Sequence, residues 1–490
     1  MSTYIGIDLG TSSVKLLLVS EEGRILNSAV KSYPISYPES GWSEQNPEDW
    51  FKETISGMKE LLCGQDRSEV KGIGIGGQMH GLVMLDKDDD VIRPAILWND
   101  GRTQKQTDYL NEVIGKDKLS QYTANIAFAG FTAPKILWVR ENEPNNFARI
   151  EKIMLPKDYV AYRLGGVHCT DYSDASGMLL LDVKNRRWSR EMLEICGVKS
   201  EWLPVLYESY EKVGTILPSV AEDLGLSPDV VLAAGAGDNA AAAVGTGTVC
   251  GGACNLSLGT SGTAFIVGDG FSVDEKNALH SFCHANGGYH LMGCILSAAS
   301  CNEWWMKKVL NTSDFAAEQQ GLESLLGKNE VIFLPYLMGE RSPHNDVNAR
   351  AAFIGMRPDT SRGNMTLAVM EGVAFALRDC MEVAKSNGIR VSSTHICGGG
   401  AKSRLWLRVM ANVMGIPVET VQIEEGPSYG AAILAMVACG RYKSVDEATK
   451  RLIRIKDTVL PDVQTVAKYE DKYRVFKMLY PALKDAFAKF

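Results

Sequence analysis

The chain of 490 residues repeats one short segment at about half its length: Leu9-Gly10-Thr11-Ser12 returns as Leu258-Gly259-Thr260-Ser261. Each copy follows an apolar strand pattern and leads into another, at residues 14–19 and 264–267. A repeat spaced this way, with matching flanks, restricts the fold to two similar halves. Strand and helix patterns alternate along the rest, which predicts α/β layers. The expected domains are residues 1–247 and 248–490.

Local patterns fill in the halves. Residues 4–7, 14–19 and 25–32 read as a three-strand meander, with Glu21-Glu22-Gly23-Arg24 turning the second into the third. Residues 50–62 have helical spacing of Trp50, Ile55, Met58, Leu61 and Leu62. Residues 70–75 form a buried strand pattern closed by Gly76-Gly77, and residues 463–490 read as one amphipathic helix.

Composition removes several classes. No apolar run approaches the roughly 18 residues of a membrane span. The N-terminus lacks a basic region followed by an apolar one, so a cytoplasmic location is expected. Eleven scattered cysteines with no CxxC pair suit free thiols in a reducing compartment. A net charge of −8 without a basic cluster disfavours nucleic acid and leaves small molecules as the expected partners. Glycine is in excess, 47 where average usage would give about 34. Fourteen of them fall at 72–81, 235–252 and 398–400, where backbone is expected to approach a ligand.

Five segments carry candidate chemistry. In Asp8-Leu9-Gly10-Thr11-Ser12-Ser13, a strand delivers a carboxylate to a turn rich in hydroxyl and N–H groups. That suits Mg²⁺ and phosphate oxygens, but also a plain hairpin turn. Residues 256–263 repeat the hairpin with Ser257 in place of Asp8. Cys397-Gly398-Gly399-Gly400 ends a strand and begins a helix, fit for a flat ring or a phosphate, or only for a tight turn. Gly235-Ala236-Gly237-Asp238-Asn239 surrounds a carboxylate and an amide with small residues; Asp238 is either a helix cap or a proton acceptor beside a substrate. Gly76-Gly77-Gln78-Met79-His80-Gly81 places polar groups suited to sugar hydroxyls at the end of a strand. Trp98-Asn99-Asp100-Gly101-Arg102 either lines the same pocket or forms a local Asp100–Arg102 ion pair. Cys301 is either a reactive thiol or a buried structural one.

Taken in this order, the segments resemble the FGGY family of carbohydrate kinases over nearly the whole chain. Residues 130–142 look like its first signature, and residues 351–356 with 364–371 like its second. The resemblance implies two RNase H-like domains, as in actin, Hsp70 and hexokinase, with an active-site cleft between them. It implies a sugar-binding N-terminal domain and a nucleotide-binding C-terminal one, ATP and Mg²⁺ as cofactors, and often a homodimer. Carried over, Asp238 is the general base and Asp8 organises Mg²⁺. Thr11, Ser12 and Ser13 meet the γ-phosphate, and Gly259 and Thr260 the β/γ region. Gly399, Gly400 and Arg404 flank the adenosine, and Gln78, Met79, His80, Asp238 and Asn239 contact the sugar. Arg404 stands where glycerol-phosphorylating members commonly have Asn. Residues 78–81, 98–103 and 131–135 are most similar to the branch that phosphorylates D-xylulose, so that reaction is expected. The alternatives are another sugar or polyol of the family (glycerol, gluconate, ribulose or a deoxyketose), or an actin- or Hsp70-like ATPase without a sugar.

Overall fold

Thr3–Leu9 (β1) carries apolar residues on both faces, and Tyr4, Ile5, Ile7 and Leu9 are all buried. Such a strand belongs in the middle of a sheet covered on both sides. It pairs antiparallel with Ser13–Ser20 (β2), which pairs with Ile25–Ser32 (β3), and parallel with Val70–Gly77 (β4). Lys212–Thr215 (β5), Val231–Ala233 (β6) and Ala236–Gly237 (β7) complete the sheet. Its order is β5-β6-β4-β1-β2-β3, with β7 beside the end of β4. The predicted meander is therefore present. The predicted helix at 50–62 is present as Pro47–Leu61, started by proline and by the Asn46 side chain, which accepts the Glu48 N–H at 3.2 Å.

The second sheet contains Ala253–Leu258 (β8), Gly262–Gly268 (β9), Tyr289–Ile295 (β10), Ser393–Cys397 (β11), Val418–Val421 (β12) and Ile455–Val459 (β13). These strands run in the order β10-β9-β8-β11-β12-β13. β8 is antiparallel to β9 and parallel to β11; β11 is parallel to β12, and β12 antiparallel to β13. Read in reverse, its pairing directions from β13 to β9 match those of the first sheet from β5 to β2, with β8 in the place of β1; the outermost strand precedes its neighbour along the chain in the first sheet and follows it in the second. The repeat read from eight residues is thus a repeat of RNase H-like topology. Helix Arg362–Ser386 crosses this core, and Tyr469, Tyr473 and Phe476 of the tail helix Val463–Phe487 pack their rings on Phe375.

The computed structural model describes all 490 residues and divides them into two compact units. One is Met1–Val249 with Ser281–Tyr289 and Glu425–Ile453; the other is Cys250–His280 with His290–Glu424 and Arg454–Phe490. The late segment joins the first unit because helix Gly426–Ala438 lies on β1 and β4 with almost no side chain between. A β-carbon at Gly6 would stand 1.9 Å from the Ser428 carbonyl oxygen, and one at Gly74 2.0 Å from that of Ala431. The same helix meets Asp238–Thr246 in the same way. A β-carbon at Gly245 would be 2.0 Å from the Gly426 oxygen, and one at Gly430 1.8 Å from the Ala241 oxygen. No helix is long and apolar enough to cross a membrane.

This corrects the reading of the glycine excess. Of the fourteen glycines in the three ligand-loop stretches, only Gly399 has open space where a side chain would stand. The others are crowded by protein atoms in that direction, so each of them permits close packing, whether or not it also borders a cavity. Gly430→Ala is expected to lower stability by about 3 kcal/mol or more, because the atoms it would meet, of Ala241 and Gly245, belong to a helix backbone that cannot yield locally. Gly399→Ala is expected to leave the thermal midpoint within about 1 °C. Thermal melts of the two variants check this.

Candidate active site

In the first unit, three chain segments end at one edge of the sheet. Asp8 of β1 lies opposite Gly76 of β4, and Gly76 lies opposite Ala236 of β7. The loops that follow carry Thr11-Ser12-Ser13, Gln78-Met79-His80 and Asp238-Asn239, so the structure gathers these sequence-predicted residues at one sheet end. Carboxyl ends of parallel strands are where open α/β sheets bind ligands.

The turn after Asp8 is held by its carbonyls. Gly10 N–H donates to Ser13 O at 3.0 Å. Tyr33 OH donates to Gly10 O at 2.5 Å, Gln45 Nε2 to Thr11 O at 2.7 Å, and Tyr33 N–H to Ser12 O at 3.2 Å. Trp98 Nε1 donates to Thr11 Oγ1 at 3.0 Å. The N–H groups of Thr11 and Ser12 donate to no protein acceptor. A turn with its carbonyls engaged and its N–H groups left over is an anion cradle. Tyr33 and Gln45 carry no motif in the sequence; only the fold brings them to this turn.

The strand-end loop at 78–80 is fixed as tightly. Gln78 N–H donates to Leu9 O at 2.8 Å, and its side-chain amide to Gln45 Oε1 at 3.2 Å. His80 has φ 69°, a left-handed conformation that side chains rarely adopt. Its carbonyl accepts from Lys135 Nζ at 2.8 Å and Thr132 Oγ1 at 3.0 Å, its Nδ1 lies 2.8 Å from Gly177 O, and its ring packs 4.7 Å from that of Phe131. Burial lowers the Lys135 pKa to about 7. Lys135 lies inside the stretch that carries the family resemblance, but its role as the anchor of His80 needs the structure. Asp100 and Arg102 form the local ion pair, 2.7 Å apart and buried, while Trp98 of the same segment reaches Thr11.

Asp238 is the first residue of helix Asp238–Thr246, and Gly237 is its N-cap. The Asp238 carboxylate accepts from Asn239 N–H at 2.7 Å and from the Asn239 amide at 3.0 Å. The Met79 sulfur is 4.0 Å from that amide. Burial pushes the Asp238 pKa up to about 6, against which the Asn239 N–H acts weakly. Asp8 is pushed to about 7, first by burial and then by the charge of Asp238, with Lys15 opposing. The first unit therefore holds two carboxyls that titrate near neutrality at one sheet end.

In the second unit the repeated hairpin uses the same device. Gly259 O accepts from Ala299 N–H at 2.8 Å, and Thr260 O from Ala298 N–H at 2.9 Å and Ser300 Oγ at 2.7 Å. Beside it is a cavity of about 440 Å³ lined by Asn302, Phe315, Gln319, Gly399, Gly400 and Trp406, among others. Gly399 and Gly400 thus reach a pocket of a size for a nucleoside base. Asn302, Phe315 and Gln319 were not singled out in the sequence, since nothing local marks them. Arg404 does not line this cavity; its guanidinium pairs with Asp457 of β13. Cys301 is fully buried, its thiol pushed far up by burial, which makes it a structural residue.

Residues 3–245 match the N-terminal domain of the FGGY family of carbohydrate kinases, and residues 254–439 match its C-terminal domain. The chain is 42% identical to a xylulose kinase of Escherichia coli (strain K12), over 98% of this chain and 99% of that one. Its structure resembles a xyloylose kinase from Brucella ovis with a TM-score of 0.94 and 38% identity, over 99% of this chain and 100% of that one. It resembles a gluconate kinase from Lactobacillus acidophilus with a TM-score of 0.94 and 25% identity, over 100% of this chain and 99% of that one. Both domain matches fall in order along the chain, and the chain belongs to the FGGY family of carbohydrate kinases.

Proposed function

We propose that this enzyme transfers the γ-phosphoryl group of ATP to the terminal hydroxyl of D-xylulose, giving D-xylulose 5-phosphate. The observation that carries the reaction class is Asp238, a carboxylate with a pKa near 6 whose hydrogen bonds come from Asn239 and which stands beside Met79 at a sheet end. A base with that pKa is ionised at neutral pH and still accepts a proton readily. The substrate within the class rests on the xylulose kinase at 42% identity over nearly the full chain. A fold match as close to a gluconate kinase does not select the sugar.

In the proposed mechanism residues 1–247 carry the sugar and residues 248–490 the nucleotide. Gln78, Met79, His80 and Asn239 hold the ketose so that its terminal hydroxyl faces Asp238. Asp238 takes the hydroxyl proton as the oxygen forms its bond to the γ-phosphorus. The bond from that phosphorus to the β–γ bridging oxygen breaks, and ADP leaves. The N–H groups and hydroxyls of Thr11, Ser12 and Ser13, with Gly259 and Thr260, bind the phosphates. Gly399 and Gly400 flank the adenosine beside the second-unit cavity, and Arg404, held by Asp457, reaches it only by leaving that partner. Phosphoryl transfer asks the protein mainly for alignment and charge.

Asp8 fits a Mg²⁺ ion. It is a hard oxygen donor whose ionised form is disfavoured by burial and by the charge of Asp238 with Lys15 offsetting them only in part, and no group of three or more His, Cys, Asp or Glu residues here forms a closed metal cage. A lone carboxylate suits an ion that keeps its waters and takes phosphate oxygens. When bound, the ion neutralises phosphate charge. We place the enzyme in the cytoplasm, where ATP is present and its eleven free cysteines stay reduced.

A coupled assay over ketoses, polyols and aldonates is expected to show the highest kcat/KM with D-xylulose. A higher value with gluconate or glycerol replaces the sugar assignment. Asp238→Asn is expected to lose at least about 1,000-fold in kcat while ATP binding, read by calorimetry, stays within about twofold. The same variant is expected to be more stable at pH 8, by up to about 3 kcal/mol. The raised pKa means that the native state pays for an ionised Asp238 above pH 6. That advantage shrinks as pH falls below about 6 and is gone near the ordinary carboxylate pKa of about 4. Denaturant titrations at both ends check the sign. Asp8→Asn is expected to raise the Mg²⁺ concentration for half-maximal rate at least about tenfold, with the sugar KM within about twofold.

A further inference from the structure

Behind the proposed base lies a buried charge cluster that the mechanism above does not use. Lys157 Nζ is 2.6 Å from Asp158 Oδ1, 2.9 Å from Asp171 Oδ1 and 3.8 Å from Asp174 Oδ2. All four side chains are at most 1% exposed. Lys157 sits in the first turn of helix Pro156–Gly165, where the helix dipole disfavours a cation. Burial alone would push its pKa down; the three carboxylates outweigh that and hold it well above its ordinary range. Asp174 makes no hydrogen bond through either oxygen, and burial holds its carboxyl far above the usual range. Buried charge of this kind is a poor way to gain stability, since a well-packed apolar core does as well. Its value has to lie in what it positions.

The structure shows what that is. Asp171 Oδ2 accepts from Ser173 N–H at 2.8 Å, Ser173 Oγ at 2.5 Å and Ser209 Oγ at 2.6 Å. Ser173 Oγ in turn accepts the Gly237 N–H at 3.2 Å. Ser209 O accepts the Gly235 N–H at 3.0 Å, and Lys157 Nζ lies 3.5 Å from Ala234 O. The segment that delivers Asp238 is thus tied at Ala234, Gly235 and Gly237 to one lysine–aspartate pair.

We propose that Ser173, fixed by the Lys157–Asp171 pair, is a positioning residue for the catalytic base: its hydroxyl oxygen holds the Gly237 N–H and so sets where the Asp238 carboxylate stands. This rests on Asp238 being the base. A misplacement of about 1 Å costs on the order of 100-fold in rate. Ser173→Ala is therefore expected to lower kcat about 10- to 100-fold, with KM for the ketose and for ATP within about twofold.

The deciding measurement is a double-variant cycle with Asp238→Asn. Because Ser173 acts only through Asp238, the double variant is expected to keep the residual rate of Asp238→Asn alone. A further loss equal to that of Ser173→Ala alone makes Ser173 a general structural residue and overturns the proposal. So does a Ser173→Ala enzyme with full kcat. An Asp238→Asn enzyme with full activity removes the base itself, which is a different failure with a different readout. Should Ser173→Ala not fold, Ser209→Ala loosens Asp171 from the other side. It is expected to show the same split, a lower kcat with unchanged KM, and an unchanged kcat there overturns the proposal.

Discussion

The contact on which the first unit depends is between backbones. Helix Gly426–Ala438 lies on β1 and β4 through Gly6 and Gly74, and on helix Asp238–Thr246 through Gly245 and Gly430. No side chain larger than hydrogen fits at these four positions, so the four elements are held at one separation rather than a range. Two of those strands end at the candidate site, and the second helix begins with Asp238. The same contact therefore sets the depth of Asp8 at the end of β1 and the place of Asp238. It is also why a segment near the end of the chain belongs to the first unit.

This contact was only half legible in the sequence. Hairpin, repeat and strand–helix alternation follow from periodicity and turn residues, so they were readable, as were the helices at 404–414 and 463–487. The glycines were visible as an excess, but a glycine that admits a ligand and one that admits a helix look alike in sequence. Only the neighbouring backbone tells them apart, and it comes from residues hundreds of positions away. The same holds for the site. Asp8, Thr11, Gln78, His80 and Asp238 stand in local motifs. Tyr33, Gln45 and Ser173, which hold those motifs in shape, stand in none, and Lys135 stands in a signature stretch that gives no sign of what it holds. Anchoring residues act through long-range contacts, and one sequence carries no record of contact.

The electrostatics of the first unit run against stability. Burial raises Asp238 and Asp8 to about 6 and 7, and the charge of Asp238 adds to the shift of Asp8. At neutral pH an ionised carboxylate there is a cost of folding, tolerated because the surrounding network does not let the group move to water. Low polarity around Asp238 also makes it a better proton acceptor than a solvated aspartate. What weakens the fold locally is what suits the group to its proposed task.

The two hairpins show how one frame takes two roles. Both engage their carbonyls with the protein, through Tyr33 and Gln45 in the first and through Ala298, Ala299 and Ser300 in the second. Both thereby leave N–H groups for an anion. They differ at the strand end, where Asp8 in the first corresponds to Ser257 in the second. A carboxylate repels phosphate unless a cation stands between them, whereas a hydroxyl donates to phosphate directly. The repeat has kept the geometry of the turn and allowed the charge to diverge.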